Sequence, residues 1–225
     1  MRKLNCDYLV VGAGAAGCVV SNRLSHSPNN SVICIEAGGK DTNFFIKIPA
    51  GFSKTVYNDK INWPYYTEKT DNTANRKIRF PRGKVVGGSS SINGHLYVRG
   101  QADDYDGWAQ KGCLGWSWSD VLPYFMKAES RPEGKKHFRG NKGPLHISDL
   151  TSPHPLAKLF IQTAHSIGIK KNTDYNSGDQ EGSFLYQTMI KNSKRWSASD
   201  AYLKPILSKD NFKLLTKTHL HKIIF

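Results

Sequence analysis

The hydrophobic pattern of the first 36 residues predicts a strand, a helix and a second strand. Residues 4–11 form an almost continuous apolar run that ends in glycine, which is typical of a buried parallel strand. Residues 15–24 have helical spacing, and Pro28 stops the helix. Residues 31–35 predict a second buried strand that ends at Glu36. The chain therefore opens with a compact βαβ unit.

The rest of the chain alternates irregular stretches with short regular elements. Residues 38–80 are rich in Gly, Asn, Asp and Pro, which indicates a long excursion over the surface. Ser119 is the predicted N-cap of a helix. Further along we expect helices over 102–110, 119–129, 155–167 and 199–207, and strands over 144–147, 182–190, 212–215 and 220–225. The sequence ends inside the last of these strands, so we expect the chain to be truncated.

Composition and charge exclude several classes of protein. The 225 residues include 38% hydrophobic ones, and no apolar run approaches the roughly 18 residues that span a bilayer. No signal peptide precedes the first strand, so we expect a cytoplasmic protein, with contact to the inner membrane surface left open. The net charge of +14 is spread over the whole length, and its densest run, 131–142, predicts a solvated loop. We expect no nucleic-acid partner.

The four cysteines lack metal-binding spacing. Cys6, Cys18 and Cys34 fall in or beside apolar segments of the βαβ unit, and no CxxC pair is present. We expect them to pack as small hydrophobic residues, and we predict no metal site and no disulfide.

The first glycine motif predicts a dinucleotide site. Gly12, Gly14 and Gly17 form GxGxxG between the first strand and the helix. The first glycine permits the tight turn, the second lets the backbone approach a diphosphate, and the third lets the helix pack on the strand. Glu36, at the end of the second strand, is placed to accept hydrogen bonds from ribose hydroxyls. Its charge disfavours a 2′-phosphate, which leaves NAD and FAD.

A second glycine-rich stretch favours FAD over NAD. Gly83, Gly87 and Gly88 are followed by three serines, 89–91, and this run of small residues lets a ligand approach the backbone closely. Arg82 adds a positive charge for the diphosphate. A nicotinamide cofactor is released at every turnover and seldom needs a second cradle, whereas a tightly held flavin benefits from one.

Several motifs together resemble one enzyme family. The stretches GAGAAGCVVSNRLS, IEAGG, NWPYYTE, FPRGKVVGGSSSINGHLYVRG, DDYDGWAQ and KRWSASDAYL are similar to the glucose–methanol–choline (GMC) oxidoreductases, and among them to bacterial FAD-dependent alcohol and choline dehydrogenases. The resemblance implies an α/β fold: a Rossmann-like FAD-binding domain over 1–154, with 212–225 returning to it. The beginning of an α+β substrate-binding domain is implied over 155–211.

The resemblance also implies the residues that bind FAD. The ADP half is assigned to Gly12, Gly14, Ala15, Ala16, Gly17, Glu36 and Ala37, and the adenine to the backbone of Leu220. The path toward the isoalloxazine is assigned to Trp63, Arg82, Gly83, Val86, Gly88, Ser89, Asn93 and Gly94. For Trp63 a packing role, and for Asn93 a turn-stabilising role, remain open.

Three departures from the family pattern shape the expected function. Ile92 stands where some members carry a histidine linked covalently to the flavin, so we expect non-covalent FAD. His95 is a candidate for the substrate pocket that could titrate near neutrality, with ordinary packing as the alternative. The family's catalytic histidine lies beyond Phe225, so no catalytic residue is assigned within the chain.

The expected parent activity is oxidation of a primary alcohol, such as choline, to an aldehyde by hydride transfer to FAD. Its partners are a small alcohol and a non-NAD electron acceptor such as a quinone. We expect the chain alone to lack the base that the reaction needs. The alternative is a non-catalytic flavin-binding module or a subunit completed by a separate chain. An NAD-dependent dehydrogenase and a nucleic-acid binder are weaker alternatives.

Overall fold

A computed structural model describes residues 3–134 and 137–224 of the chain. Lys135 and Lys136, in the predicted loop over 131–142, lie outside the described residues, as does Phe225 at the end of the last predicted strand. Within the described ranges, no helix combines the length and apolar character needed to cross a bilayer.

Short elements make up the fold. The α-helices are α1 (Ala15–Leu24), α2 (Phe44–Lys47), α3 (Phe52–Thr55), α4 (Ala102–Gln110), α5 (Trp118–Ala128) and α6 (Pro155–Ser166). The strands are β1 (Tyr8–Val11), β2 (Val32–Ile35), β3 (Asn62–Trp63), β4 (Arg82–Gly83), β5 (Glu129–Ser130), β6 (Leu145–His146), β7 (Ile190–Lys191), β8 (Lys194–Arg195) and β9 (Phe212–Leu215). Short 3₁₀ helices cover Pro49–Gly51, Asp71–Thr73, Gly88–Ser91 and Lys204–Ile206, and a π-helix covers Ser199–Leu203.

The chain divides into two compact units, one of residues 1–95 with 192–225 and the other of residues 96–191. The boundaries of these packing units differ from those of the predicted domains, 1–154 with 212–225 and 155–211. The reason is that residues 96–154 pack with residues 155–191. The division by function stays a prediction.

A parallel three-stranded sheet organises the first unit. Its order is β1–β2–β9, and both pairings are parallel. The central strand β2 is buried along its whole length, as predicted. The edge strand β1 leaves Tyr8, Leu9 and Val11 exposed, so the prediction of a fully buried first strand is wrong. An edge strand has a hydrogen-bonded neighbour on one side only. The α/β class itself is confirmed.

The predicted helices agree well with the structure, and two of the predicted strands do not. Helices α1 and α4 have the predicted bounds, but α5 is capped by Ser117, whose hydroxyl accepts from the Asp120 amide, rather than by Ser119. Of the strand predicted over 182–190, Ile190 alone lies in a strand, the two-residue β7 that it forms with Lys191. Residues 220–224 form none; they follow the end of β9 at Leu215 and a bend at Lys217, where φ is +55°.

The second unit is held together by a buried network of charges. Glu129, fully buried on β5, accepts from Arg99 at 2.7 Å and from Arg139 at 2.8 Å. Arg139 also donates to Asp174 at 2.9 Å and to Gln187 at 3.0 Å. Buried charges of this kind are tolerated only when they are paired and hydrogen-bonded.

Two of the cysteines pack as predicted. Cys18 and Cys34 are buried, whereas Cys6 is half-buried and Cys113 is exposed. Burial raises the pKa of the Cys18 thiol to about 12, so this thiol stays protonated at neutral pH.

Candidate functional site

The first glycine loop joins β1 to α1 in the predicted way. Gly12 has φ +91°, a conformation that side chains disfavour, and this lets the chain turn away from the sheet. A Cβ on Gly17 would lie 1.9 Å from the Gly12 carbonyl oxygen, so the close packing of helix on loop requires glycine there. A Cβ on Gly14 would meet no protein atom within 4 Å. The fold itself therefore does not require glycine at position 14.

The second glycine loop lies directly against the first. The backbone N–H of Gly87 donates to the Ala13 carbonyl at 2.7 Å, and a Cβ on Gly88 would lie 2.7 Å from the Gly14 Cα. Gly87 and Gly88 both have positive φ, at +88° and +56°. The two loops that the sequence places about 70 residues apart therefore form one continuous backbone surface at the N-terminus of α1, where unpaired N–H groups favour an anion.

Glu36 ties the first loop to the end of β2. It is 6% exposed, and its two carboxylate oxygens accept from the backbone N–H groups of Ala13 at 2.9 Å and Gly38 at 2.8 Å. A carboxylate has about four acceptor positions, so each oxygen keeps one for a further donor. These two hydrogen bonds hold the carboxylate in a fixed position beside the glycine loops. Its remaining acceptor positions suit donors such as ribose hydroxyls.

A cavity of about 380 Å³ opens between these loops and the carboxyl ends of the strands. Its size lies within the range of small-molecule sites, about 300–1,000 Å³. Half of the sixteen predicted cofactor residues line it, namely Gly12, Gly14, Glu36, Ala37, Trp63, Gly83, Gly88 and Leu220. Ligands of open parallel sheets bind at this edge of the sheet.

The other eight predicted cofactor residues do not line this cavity. Ala15 and Ala16 are exposed in the first turn of α1, and Gly17 packs closely against the Gly12 carbonyl. Val86 is buried, and Arg82 lies over the Phe80 ring with its guanidinium exposed. The remaining three belong to the second glycine loop and its continuation, Ser89, Asn93 and Gly94.

Two residues that the sequence did not single out also line the cavity. Thr218 and His219 follow β9, and the Thr218 N–H donates to the Glu36 carbonyl at 2.9 Å. The His219 ring meets the Trp63 ring edge-on, with 5.9 Å between the ring centroids. Trp63 therefore lines the cavity and also makes a packing contact. The strand order β1–β2–β9 would have identified Thr218 and His219. The three strands are parallel, so the loop after β9 reaches the same sheet edge as the loops after β1 and β2.

His95 is buried, in a strained conformation, near a buried arginine. It is 8% exposed with φ +50°, and its ring meets Phe52 edge-on at 6.4 Å. Burial, together with the neighbouring Arg195, lowers the pKa of His95 to about 4. The expectation that His95 titrates near neutrality is therefore wrong, since the imidazole is neutral at pH 7. Its place in a substrate pocket stays a prediction.

The lowered pKa of His95 predicts a loss of stability in mild acid. The unfolded chain binds a proton near pH 6.5 and the folded chain only near pH 4, so the free energy of unfolding falls as the pH drops through this window. The expected loss is about 3 kcal/mol by pH 4, at 1.36 kcal/mol for each pKa unit. Urea denaturation at a series of pH values measures it.

Asn tolerates a positive φ and does not titrate here, so the variant His95→Asn is the matched control. Burial also lowers the pKa of His146, but that group is present in both proteins and cancels in the comparison. Parallel pH profiles of the wild type and the variant would contradict the prediction.

Comparison with known proteins places these features in one family. The model of the GMC oxidoreductase family matches residues 6–225. An oxygen-dependent choline dehydrogenase of Rhizobium johnstonii is 43% identical over 94% of this chain and 39% of its own length. The mitochondrial choline dehydrogenase of Mus musculus is 40% identical over 97% of this chain and 38% of its own length. The chain thus spans less than two fifths of these curated relatives.

Solved structures agree with the sequence relatives. Pyridoxine 4-oxidase from Mesorbium loti matches with a TM-score of 0.90 and 34% identity, over 95% of this chain and 42% of that one. A formate oxidase matches with a TM-score of 0.83 and 25% identity, over 94% of this chain and 38% of that one. The predicted fold, family and cofactor are confirmed. The chain belongs to the GMC oxidoreductase family, whose N-terminal domain binds FAD.

Proposed function

We propose that the chain binds FAD non-covalently in the cavity between its two glycine loops, as the flavin-holding part of an alcohol-oxidising enzyme. The observation that carries this proposal is Gly14, where a Cβ would enter open space at the cavity wall. Glycine there serves a ligand rather than the fold, and a diphosphate at the start of α1 is such a ligand. Ile92 supports the absence of a covalent link, because its side chain offers no nucleophile.

The residues of this chain bind and orient the cofactor in this proposal. Glu36 holds the ribose end, and the Gly12–Gly17 loop with the N-terminus of α1 holds the diphosphate. Gly83 and Gly88 let the second loop approach, and Leu220 borders the adenine. When bound, FAD supplies the hydride acceptor.

We further propose that the substrate is a small primary alcohol such as choline, with electrons passing to a non-NAD acceptor such as a quinone. The relatives named choline dehydrogenases support this substrate class. Removal of the hydroxyl proton needs a positioned base. His95 is buried beside a cation with its pKa lowered to about 4, which makes it a poor base, so the base is proposed to lie outside residues 1–225. We assign the protein to the cytoplasm, in peripheral contact with the inner membrane surface at most.

The second candidate is a flavin-binding subunit completed by a separate chain. The chain spans 38–39% of the length of the curated relatives, and this coverage is compatible with either candidate. Its flavin site is the same as in the first proposal. The two differ in whether the missing base belongs to the same polypeptide or to a partner, so co-purification of a second subunit would favour this candidate.

Reconstitution of the purified chain with FAD tests the proposed function. We expect a bound flavin with visible absorption bands, and we expect acid precipitation to release all of the flavin into the supernatant. Flavin that stays with the pellet would contradict the non-covalent site, and a chain that remains colourless after reconstitution would contradict the flavin site itself. Alcohol oxidation with a dye acceptor is expected to stay at background. Turnover would show that a base within the chain suffices.

A further inference from the structure

Arg195, on β8, is a buried cation that contacts two separate segments through three acceptors. The residue is 1% exposed. The Nε atom donates to the Ile46 carbonyl at 2.9 Å, and Nη1 donates to the Ser90 carbonyl at 3.2 Å and to the Asn93 side-chain oxygen at 3.0 Å. All three acceptors are neutral oxygens. A buried guanidinium is tolerated only with such partners, so Arg195 fixes the segments that supply them.

The contacts of Asn93 determine which way its amide faces. Its Oδ1 accepts from Arg195 and also, at 3.0 Å, from the backbone N–H of His95. An amide oxygen has two acceptor positions, and both are used. Reversing the amide would set an NH₂ group against two other donors, which is unfavourable. The Nδ2 group therefore faces away from Arg195, and Asn93 is an exposed residue.

The same arginine supports the loop that carries Asn93. Ser90 belongs to the 3₁₀ turn Gly88–Ser91 of the second glycine loop, and its hydroxyl accepts from the Ala198 amide at 3.0 Å while donating to the Gly87 carbonyl at 2.6 Å. The Asn93 N–H donates to the Ser89 carbonyl at 2.9 Å. The loop and the segment that follows β8 thus form one connected hydrogen-bond network, with Asn93 at its exposed end.

We propose that Arg195 is a positioning residue that fixes the Asn93 amide with its two N–H donors facing outward, toward a hydrogen-bond acceptor of the flavin ring system. This inference rests on the proposed function and on the family resemblance, which implies that Asn93 lies on the path toward the isoalloxazine. The ring carbonyl oxygens and nitrogens of a flavin are acceptors of the required kind. Arg195 acts on the cofactor only through Asn93 and the loop, so its effect should depend on the Asn93 amide.

A double-mutant cycle on FAD affinity tests the dependence. We expect Arg195→Lys and Asn93→Ala each to weaken FAD binding about tenfold, the loss that one hydrogen bond typically brings. Lysine keeps the charge but cannot bridge three acceptors as the guanidinium fork does. The double variant is expected to bind within about twofold of Asn93→Ala. An additive loss of about a hundredfold, or no loss in either single variant, would overturn the proposal.

The direction of the amide has a test of its own at Asn93, because aspartate keeps an acceptor oxygen for Arg195 and His95. Asn93→Asp replaces the outward donors by a charged acceptor, so we expect it to bind FAD more weakly than Asn93→Ala. Equal or tighter binding by Asn93→Asp would overturn the outward-donor arrangement.

Spectra of the bound flavin distinguish positioning from mere support of the fold. We expect the absorption bands to shift in the same direction in Arg195→Lys and Asn93→Ala. Arg131→Lys, which alters a buried arginine of the second unit that pairs with Asp149, is the control and should leave the bands unchanged. A wild type that binds no FAD overturns the proposed function as well. Wild-type binding with unshifted bands in both variants overturns this inference alone.

Discussion

Replacing Glu129 with alanine is expected to lower the free energy of unfolding by about 3–5 kcal/mol or more, the usual result of removing one partner from a buried ion pair. Glu129 is fully buried and serves two buried arginines, Arg99 and Arg139, as well as the Gly140 amide at 3.0 Å. The variant leaves both cations short of an acceptor in a buried site. Since whole domains are stable by only about 5–15 kcal/mol, the loss removes a large part of the free energy of unfolding. Urea denaturation followed by tryptophan fluorescence measures the loss.

Two further variants show whether the charge or the shape of Glu129 is responsible. Glu129→Gln keeps the volume and one acceptor oxygen, so we expect an intermediate loss. Glu181→Ala removes an exposed glutamate of the same unit and should change the stability by less than about 0.5 kcal/mol. A Glu129→Ala protein as stable as Glu181→Ala would mean that the two arginines find other partners at little cost.

Local elements of the fold could be predicted where one short stretch determines them. Helix α1 has its predicted bounds because apolar spacing and a following Pro–Asn–Asn stretch act within the segment itself. The burial of β1 could not be predicted in this way, since its apolar run reads the same in an edge strand as in a central one. The prediction of a strand over 220–225 was wrong for residues 220–224, and the chain just before them is shaped by a distant contact. The bend at Lys217, whose N–H donates to the Gly38 carbonyl at 2.8 Å, depends on a residue 179 positions away.

The candidate site shows the same division between local and distant causes. Glu36 and the glycines follow from a motif in which each residue has a stated geometric task, so the sequence suffices to find them. Thr218 and His219 reach the cavity only because β9 pairs with β2. The role of Arg195 depends on contacts with Ile46, Ser90 and Asn93, about 100 to 150 residues earlier. No local sequence pattern predicts a contact between residues so far apart in the chain. The pKa of His95 likewise follows from burial, which the sequence does not state.

Replacing Gly14 with alanine is expected to weaken FAD binding by about a hundredfold or more, roughly 3 kcal/mol, while leaving the stability of the apoprotein unchanged. Gly14 has φ −75°, which alanine adopts without strain, and the added methyl group would meet no protein atom within 4 Å. Because Gly14 lines the cavity, we expect the methyl group to extend into it and to separate the loop backbone from a diphosphate. Fluorescence titration with FAD and thermal unfolding of the apoprotein measure the two effects separately.

The matched control is Gly39→Ala, a second glycine of the same unit at which a Cβ has open space and φ is ordinary. It is not among the residues that line the cavity, so both FAD affinity and stability should stay near the wild-type values. Gly17→Ala gives the opposite pattern, because its methyl group would overlap the Gly12 carbonyl at 1.9 Å and destabilise the apoprotein itself. If Gly14→Ala bound FAD as tightly as Gly39→Ala, the diphosphate would have to lie elsewhere, since a methyl group in the contact surface cannot be neutral to a ligand that the backbone touches.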